Sequence, residues 1–410
     1  MVKAKVRSSI ILDWFSNYQA FVPSIFKWLP KIFTVVSLGL FIALSIEMIP
    51  WYYLAAWFVI GWIIIGRYAK KVNEISGYVN EIQSTFQQYH LLLGLIENNT
   101  FEAELNRKQQ QKIEIEKKKA SVVFKEFSKI IDGLERKNFM IFGQLISGFM
   151  LWDLWKAYEL EQWILTYSHH TDNWFKAIDE FDAYNSLGGF AFNHQEYTFP
   201  KIQQNKVVLK TTEAVHPLIN PKDAVTNDYQ IDQQEFFIIT GANMAGKSTF
   251  LRTVSLQIVM GNVGLPVCAK TCEYSPIKLI TSMRTVDSLA DEASYFYSEL
   301  SRLKFIVDEI KNDKYFIILD EILKGTNSTD KAIGSRKFVE KLVNSHSTGI
   351  IATHDLSLCE VANELPQVKN HYFDAEIIND ELHFDYQFKD GICQNMNASF
   401  LLRKMKIVDS

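Results

Sequence analysis

Cysteine is scarce. The 410 residues hold four, Cys268, Cys272, Cys359 and Cys393. That excludes a disulfide-stapled scaffold, and the four read as free thiols. Cys268 and Cys272 have half the spacing of a metal site, but no second pair completes it, so small buried side chains are the expected role. The nine histidines form no ligand cluster by sequence. A basic excess is also missing. Forty-three Lys and Arg against 47 Asp and Glu leave a net charge of -4, without the overall basic footprint of a nucleic-acid binder. Internal repeats and low-complexity tracts are absent, which excludes solenoid and disordered classes. No small-residue cleavage site follows a short apolar core near the N-terminus, so a removable signal peptide is not expected.

Charge is absent over one long stretch. From Ile32 to Gly66 the only charged residue is Glu47. Two apolar runs, 32–49 and 51–66, meet at Pro50. A helix of about 20 apolar residues spans a bilayer, so these two predict a tight transmembrane hairpin. Trp51, Tyr52 and Tyr53 at the turn suit the membrane interface. Lys27 and Lys31 precede the hairpin, and Arg67, Lys70 and Lys71 follow it. By the positive-inside rule both outer ends face the cytoplasm. The alternative is a pair of buried helices in a soluble core.

The next stretch reads as helical. Ile82, Phe86, Tyr89, Leu93 and Ile96 recur at three- and four-residue spacing. Residues 101–136 are highly charged. Basic positions from Arg107 to Lys119 alternate with Glu102, Glu104, Glu114 and Glu116. Interleaved acids favour a solvated helix face over a DNA-contacting arm. Phe139–Leu154 is apolar again, interrupted by Gln144 and Asp153, and reads as a buried helix with membrane contact as the alternative. Trp152, Trp155, Trp163 and Trp174 then lie in a helix ending near Gly188-Gly189, as core residues. Gln195–Pro200 reads as a linker into a β-rich segment. The expected domains are 1–71, with the hairpin; 72–195, helical; and 196–410.

The last domain carries the chemistry. Phe236–Thr240 is an apolar strand. Gly241-Ala242-Asn243-Met244-Ala245-Gly246-Lys247-Ser248-Thr249 then has the P-loop spacing of two glycines, lysine and serine. Such a loop turns its N–H groups inward around phosphate oxygens, and the following helix aims its positive end at the same anion. Lys247 would reach the β- and γ-phosphates of ATP, and Ser248 would ligate Mg²⁺. Downstream, Tyr315–Leu319 is an apolar strand ending in Asp320-Glu321, a Walker B arrangement. Asp320 is the expected Mg²⁺ residue and Glu321 the residue that polarises the attacking water. A further strand, 349–353, ends at His354, placed to sense the γ-phosphate. Alternating strands and helices predict an α/β P-loop NTPase domain of the ABC type, preceded by an α-helical region and the hairpin.

These residues resemble the MutS family. Thr240–Thr249, with its Asn243-Met244 pair, is similar to that family's P-loop. Asp320–Asp330 resembles its extended Walker B signature, and 284–296 with Glu299 its middle motif. His216-Pro217-Leu218-Ile219 and Asn227-Asp228 resemble the lead-in that frames the adenine. Ala177–Phe192 resembles the end of the helical core, and Gly391–Ile407 the closing helix. The family usually has Pro and Gly where Ala242 and Ala245 stand, and a Leu-Gly-Arg-like stretch at 322–324. Glu292 and Tyr295 also depart from the middle motif. The resemblance implies a homodimer with ATP between subunits, one contributing Gly246, Lys247, Ser248, Asp320, Glu321 and His354 and the other Ser294.

About 240 residues precede the P-loop, too few for the mismatch-reading and connector domains of a full MutS. Phe124-Lys125-Glu126 mimics a mismatch-reading triplet but lies in a charged helix. The expectation is therefore a membrane-attached MutS domain V protein of the bacterial inner membrane, with its ATPase in the cytoplasm. DNA binding of mismatch-repair or recombination type is one expected activity. An ABC-type ATPase driving a membrane process without DNA is the alternative. A transporter subunit is disfavoured, because Ser186-Leu187-Gly188-Gly189 imitates the transport signature only upstream of the P-loop.

Overall fold

The structure, a computed structural model, describes residues 7–115, 118–135, 140–204, 206–283, 295–323, 326–378 and 381–394. Contacts divide the chain into Met1–Ser186 and Leu187–Ser410.

The first unit is helical. α1 (Ser8–Ser16) buries Ile11 and Phe15. The Phe15 ring packs against Phe86, Phe127 and Trp163 at centroid distances of 6.3, 6.1 and 5.8 Å. A 3₁₀ turn at Ser24–Lys27 leads into α2 (Leu29–Ser45), which carries Pro30 in its first turn, where no helical N–H is needed. α2 stops because Glu47 takes a left-handed φ of 59°. The Glu47 N–H then donates to the Leu44 carbonyl and the Met48 N–H to Ala43, the paired bonds of a Schellman cap. α3 (Trp51–Asn98) follows Pro50 and turns back along α2. Phe33 stacks on Trp57 at 4.1 Å, and the Trp57 indole donates to Ser37 Oγ at 2.9 Å.

The second apolar run was expected to end near Gly66. Instead α3 runs for 48 residues, through the expected boundary at 71/72, with no proline inside it to break the hydrogen-bond ladder. Within α3, Trp51–Val79 is long and apolar enough to cross a membrane, and only 11% of its most apolar window is buried. α2 is apolar but shorter, at 17 residues.

The charged stretch folds into α4 (Glu104–Lys112) and α5 (Ala120–Glu135). Phe124, of the triplet that mimics a mismatch reader, is fully buried in the core with Phe86 and Trp174, which removes it from any surface role. α6 (Met140–Met150) and α7 (Trp152–Asn193) complete the unit, whose boundary falls inside α7. Trp163 and Trp174 are core residues, as their spacing suggests. Ser186-Leu187-Gly188-Gly189 is an interior stretch of α7.

The second unit is α/β. Its elements in order are β1 (Lys201–Ile202), β2 (Val207–Ala214), β3 (Asn227–Asp232), β4 (Phe236–Gly241), α8 (Lys247–Asn262), β5 (Thr271–Tyr274), β6 (Lys278–Ser282), α9 (Tyr295–Glu309), β7 (Tyr315–Asp320), α10 (Ser328–Asn344), β8 (Thr348–Ala352), α11 (Val361–Glu364), β9 (Val368–Phe373), β10 (Glu376–Ile378), β11 (Glu381–His383) and β12 (Lys389–Asp390). The main sheet has the order β12-β9-β4-β8-β7-β6, parallel except for the edge strand β12. Every residue of β4 and β8 is buried, the uninterrupted pattern of a strand covered on both faces. A second sheet, β1-β5-β2-β3, and the β10–β11 hairpin stand beside it. β1 and β2 begin where the β-rich segment was expected. Cys268 is half-buried, Cys272, Cys359 and Cys393 are buried, and all are free thiols.

Candidate functional site

Parallel strands present their C-terminal ends along one edge, where loops are free to carry function. The register here aligns Gly241 of β4 with Phe373 of β9, and Asp320 of β7 with Ala352 of β8. The P-loop, the two carboxylates and His354 therefore start from neighbouring strand ends.

The loop conformation depends on its glycines. Gly241 has φ 146°, and a Cβ there would lie 2.4 Å from the Phe373 carbonyl oxygen. Gly246 has φ 109° and stands at the N-cap of α8, with no side chain capping the helix. Met244 takes φ 69° and is exposed. The uncapped start of α8 faces the cavity, which gives an anion its helix-terminal donors.

Lys247 is 6% exposed, and its ammonium donates to the carbonyls of Gly241 at 2.7 Å and Ala242 at 2.9 Å. His354 Nε2 is 3.4 Å away. Burial lowers the Lys247 pKa to about 8, while Glu321 and Asp320 pull it back upward. Glu321 follows β7 with a left-handed φ of 52°. Its N–H donates to the Ala352 carbonyl at 2.9 Å, and its carboxylate meets His354 Nε2 at 2.8 Å. A non-glycine residue in this conformation costs about 1–3 kcal/mol, a strain that recurs at functional sites. Lysine, carboxylate and imidazole thus form one connected cluster.

The cluster opens into a cavity of about 720 Å³. All of Ala242–Thr249, with Asp320, Glu321 and His354, line it; Gly241 supports the loop from the strand end. The other wall holds His216, Ile219, Asn227 and Tyr386. Burial beside Arg252 lowers the His216 pKa, keeping the ring neutral and suited to stacking. Asn227 pins this wall: its Oδ1 accepts from the Phe388 N–H at 2.6 Å, and its amide donates to the Tyr386 carbonyl at 3.1 Å. Tyr386 and Phe373 were missed by sequence reasoning. They come from a distant part of the chain with no motif around them, and only an aromatic-rich segment, Tyr372 to Phe388, hinted at a role.

The donor set fits a magnesium nucleotide. The Ser248 hydroxyl and the Asp320 carboxylate share the cavity, the hard oxygen pair Mg²⁺ takes alongside phosphate and water. Glu299 is buried and accepts the Leu323 N–H at 2.6 Å, which holds the turn after Glu321. Asn327 caps α10 by accepting the Asp330 N–H at 2.9 Å. Ser294 and nearly all of the middle motif lie outside the described residues, as do 324–325 and 395–407 of the other resembling segments.

The sequence profile of MutS domain V matches residues 237–406. This part of the chain is a MutS domain V. The matched region begins one residue into β4 and takes in the P-loop, the Asp320-Glu321 pair and His354. The DNA mismatch repair protein MutS of Staphylococcus haemolyticus is 30% identical over 240 residues, 57% of this chain and 27% of that protein. MutS of Staphylococcus aureus is 29% identical over 259 residues, covering 61% and 29%. The DNA mismatch repair protein MSH4 of Arabidopsis thaliana is 29% identical over 194 residues, covering 46% and 24%. The chain thus spans under a third of the length of these MutS-family relatives.

Proposed function

We propose that the chain is a membrane-anchored MutS-type ATPase that binds and hydrolyses ATP between two copies of itself. The convergence of Lys247, Asp320, Glu321 and His354 on one cavity carries the reading. In the reaction, the P-loop amides and the α8 N-terminus hold the triphosphate, and Lys247 exchanges its carbonyl partners for phosphate oxygens. Ser248 and Asp320 would hold Mg²⁺, which would supply positive charge beside the phosphates. Glu321 orients the attacking water and accepts its proton. His354, already bonded to Glu321, registers whether the γ-phosphate is present. Ser294 of the partner subunit completes the site, the role the family resemblance gives it.

Membrane anchorage is supported by the exposed apolar surface of α2 and the first half of α3. Val35, Leu38, Ile42, Ile60 and Ile63 are each at least 45% exposed there. Lys27, Lys31, Arg67, Lys70 and Lys71 flank it at one end, and the positive-inside rule supports a cytoplasmic side for that end, with the ATPase expected there too, at a bacterial inner membrane. The relatives' names, DNA mismatch repair proteins, support DNA as the associated ligand. Salt-sensitive duplex binding by the full chain would support it.

Steady-state ATP hydrolysis by the full chain tests the catalytic proposal. Glu321→Gln is expected to lower turnover by about 100-fold or more while leaving nucleotide binding intact. Lys247→Ala is expected to abolish turnover and to weaken nucleotide binding by about 100-fold. Unchanged turnover in both variants ends the proposal.

A further inference from the structure

We infer that α6 is a third membrane-seated helix, wedged into the α2–α3 hairpin and presenting Leu145 and Ile146 to the hydrocarbon of the bilayer. The inference rests on the membrane reading of α2 and α3 proposed above. α6 has the composition of a membrane segment, with no charged residue between Met140 and Met150, but eleven residues are too few to span a bilayer alone.

Its docking follows the packing rules of lipid-embedded helices. Association there relies on small residues that let backbones touch and on polar groups that close hydrogen bonds between helices. Gly61 of α3 and Gly148 of α6 meet so closely that a Cβ on Gly61 would lie 2.0 Å from the Gly148 oxygen. A Cβ on Gly148 would lie 2.2 Å from the Phe58 ring. The Phe149 carbonyl, near the α6 C-terminus where no intrahelical donor reaches it, accepts from Ser37 Oγ of α2 at 2.6 Å. Ser37 in turn accepts from the Trp57 indole at 2.9 Å. A backbone group facing hydrocarbon must find a protein partner, and this relay supplies one from the two flanking helices.

Depth is set by the neighbours. The Phe149 ring packs on Phe41 at 5.0 Å and on Phe58 at 4.9 Å. Phe41 lies ten residues beyond Lys31, and Phe58 nine before Arg67, so each is about 14–15 Å along its helix from the basic end. That is roughly half of a ~30 Å hydrocarbon core. The chain then returns to the basic end. Leu151, in a left-handed turn with φ 50°, and Leu154 are buried with Phe26, Phe33, Ile65 and Val72. There Lys156 lies 5.0 and 5.3 Å over the Trp152 and Trp155 rings. The same pairing stands at the start of α2, where Lys27 and Lys31 lie 5.6 and 5.4 Å over Trp28. Lysine–tryptophan clusters thus stand at two of the places where the chain meets the lipid from that side. On the outward face Leu145 and Ile146 are 41% and 44% exposed and continue the apolar surface of the hairpin. Gln144, beside them, is also exposed.

The test is photo-crosslinking of the full chain in phosphatidylcholine–phosphatidylglycerol vesicles containing radiolabelled lipid. p-Benzoylphenylalanine replaces Leu145, Ile146, Ile42, Ile63 or Leu165, the last an exposed α7 residue outside the apolar hairpin. Lipid label is expected at 145 and 146 to the same extent as at 42 and 63, with none at 165. Label at 42 and 63 but not at 145 and 146, or cross-links from 145 and 146 to a second copy of the chain, overturns the inference and leaves the hairpin in the membrane. No lipid label at any position removes the membrane reading itself. Leu145→Cys and Ile146→Cys provide an independent readout with smaller side chains. Peptides carrying them are expected to resist a membrane-impermeant maleimide until detergent is added, whereas Leu165→Cys reacts at once. Immediate reaction at 145 and 146 overturns the inference.

Discussion

Lys247 is held by two carbonyls and has been stripped of most of its water, so its proton is loosely bound before nucleotide arrives. Its pKa of about 8 lies below the ordinary lysine value, and the unfolded chain therefore holds more protons than the folded one between about pH 8 and the ordinary value. Stability of the nucleotide-free protein is expected to gain from this site as pH rises through that window. Phosphate does the opposite to the group, since negative charge beside the ammonium raises its pKa. ATP binding at pH 8 should therefore take up a proton. Calorimetry in two buffers of different ionisation enthalpy reads that uptake directly, and Lys247→Met should abolish it. The phosphate-gripping residues were legible from sequence because a P-loop is local: strand, loop and helix are contiguous, and their spacing states the geometry. Asp320-Glu321 and His354 were legible as strand ends. The strained φ of Glu321 and its bond to His354 were not, because they depend on the pairing of β7 with β8.

At the level of single elements, buried polar contacts decide how the N-terminal segment is held. Glu161 of α7 is 1% exposed and accepts hydrogen bonds from the Phe21 N–H at 2.7 Å, the Val22 N–H at 3.1 Å and the Tyr18 hydroxyl at 3.1 Å. Burial raises its pKa, and the three bonds with nearby Lys71 oppose that rise. Glu161→Ala strands two backbone donors and should cost about 2–4 kcal/mol. Glu161→Gln keeps an acceptor oxygen and removes a buried charge, so it should cost less than about 1 kcal/mol. Chemical denaturation of the two variants separates these values, and equal losses would contradict the clamp. Glycine provides a second contrast. Gly61 faces the Gly148 backbone, whereas a Cβ on Gly39 meets nothing within 4 Å. Gly61→Ala should destabilise by about 1–3 kcal/mol through overpacking, and Gly39→Ala should stabilise by up to about 1 kcal/mol through helix propensity. Neither distinction is legible in sequence, where both are glycines in apolar helices. Periodicity foretold the helices themselves, but missed that α3 runs unbroken from the apolar run into the core of the first unit, since the charges at Arg67, Lys70 and Lys71 change the surface of the helix without ending it.

For the whole molecule, the cavity is built from one chain, and the proposed dimer would add a wall from a second copy. If ATP closes two copies together, a variant that binds without hydrolysing should accumulate as a dimer. Glu321→Gln in detergent is expected to sediment as a dimer with ATP and Mg²⁺ and to lose that shift when Mg²⁺ is chelated, by mass action on the liganded form. The net charge of -4 gives no global attraction for nucleic acid, so any DNA contact must come from a local patch. Nothing in a single sequence reveals such a patch, because the basic residues of 101–136 are interleaved with acids along α4 and α5. The most direct measurement of the central claim is titration calorimetry of ATP with Mg²⁺ into the full chain and its Lys247→Ala variant at pH 7. Losing a buried charged partner of the phosphates should weaken the Kd by about 100-fold, with the thermal melt of the unliganded variant no lower than the wild type. Equal affinity in the two proteins would mean that this cavity is not where the nucleotide binds.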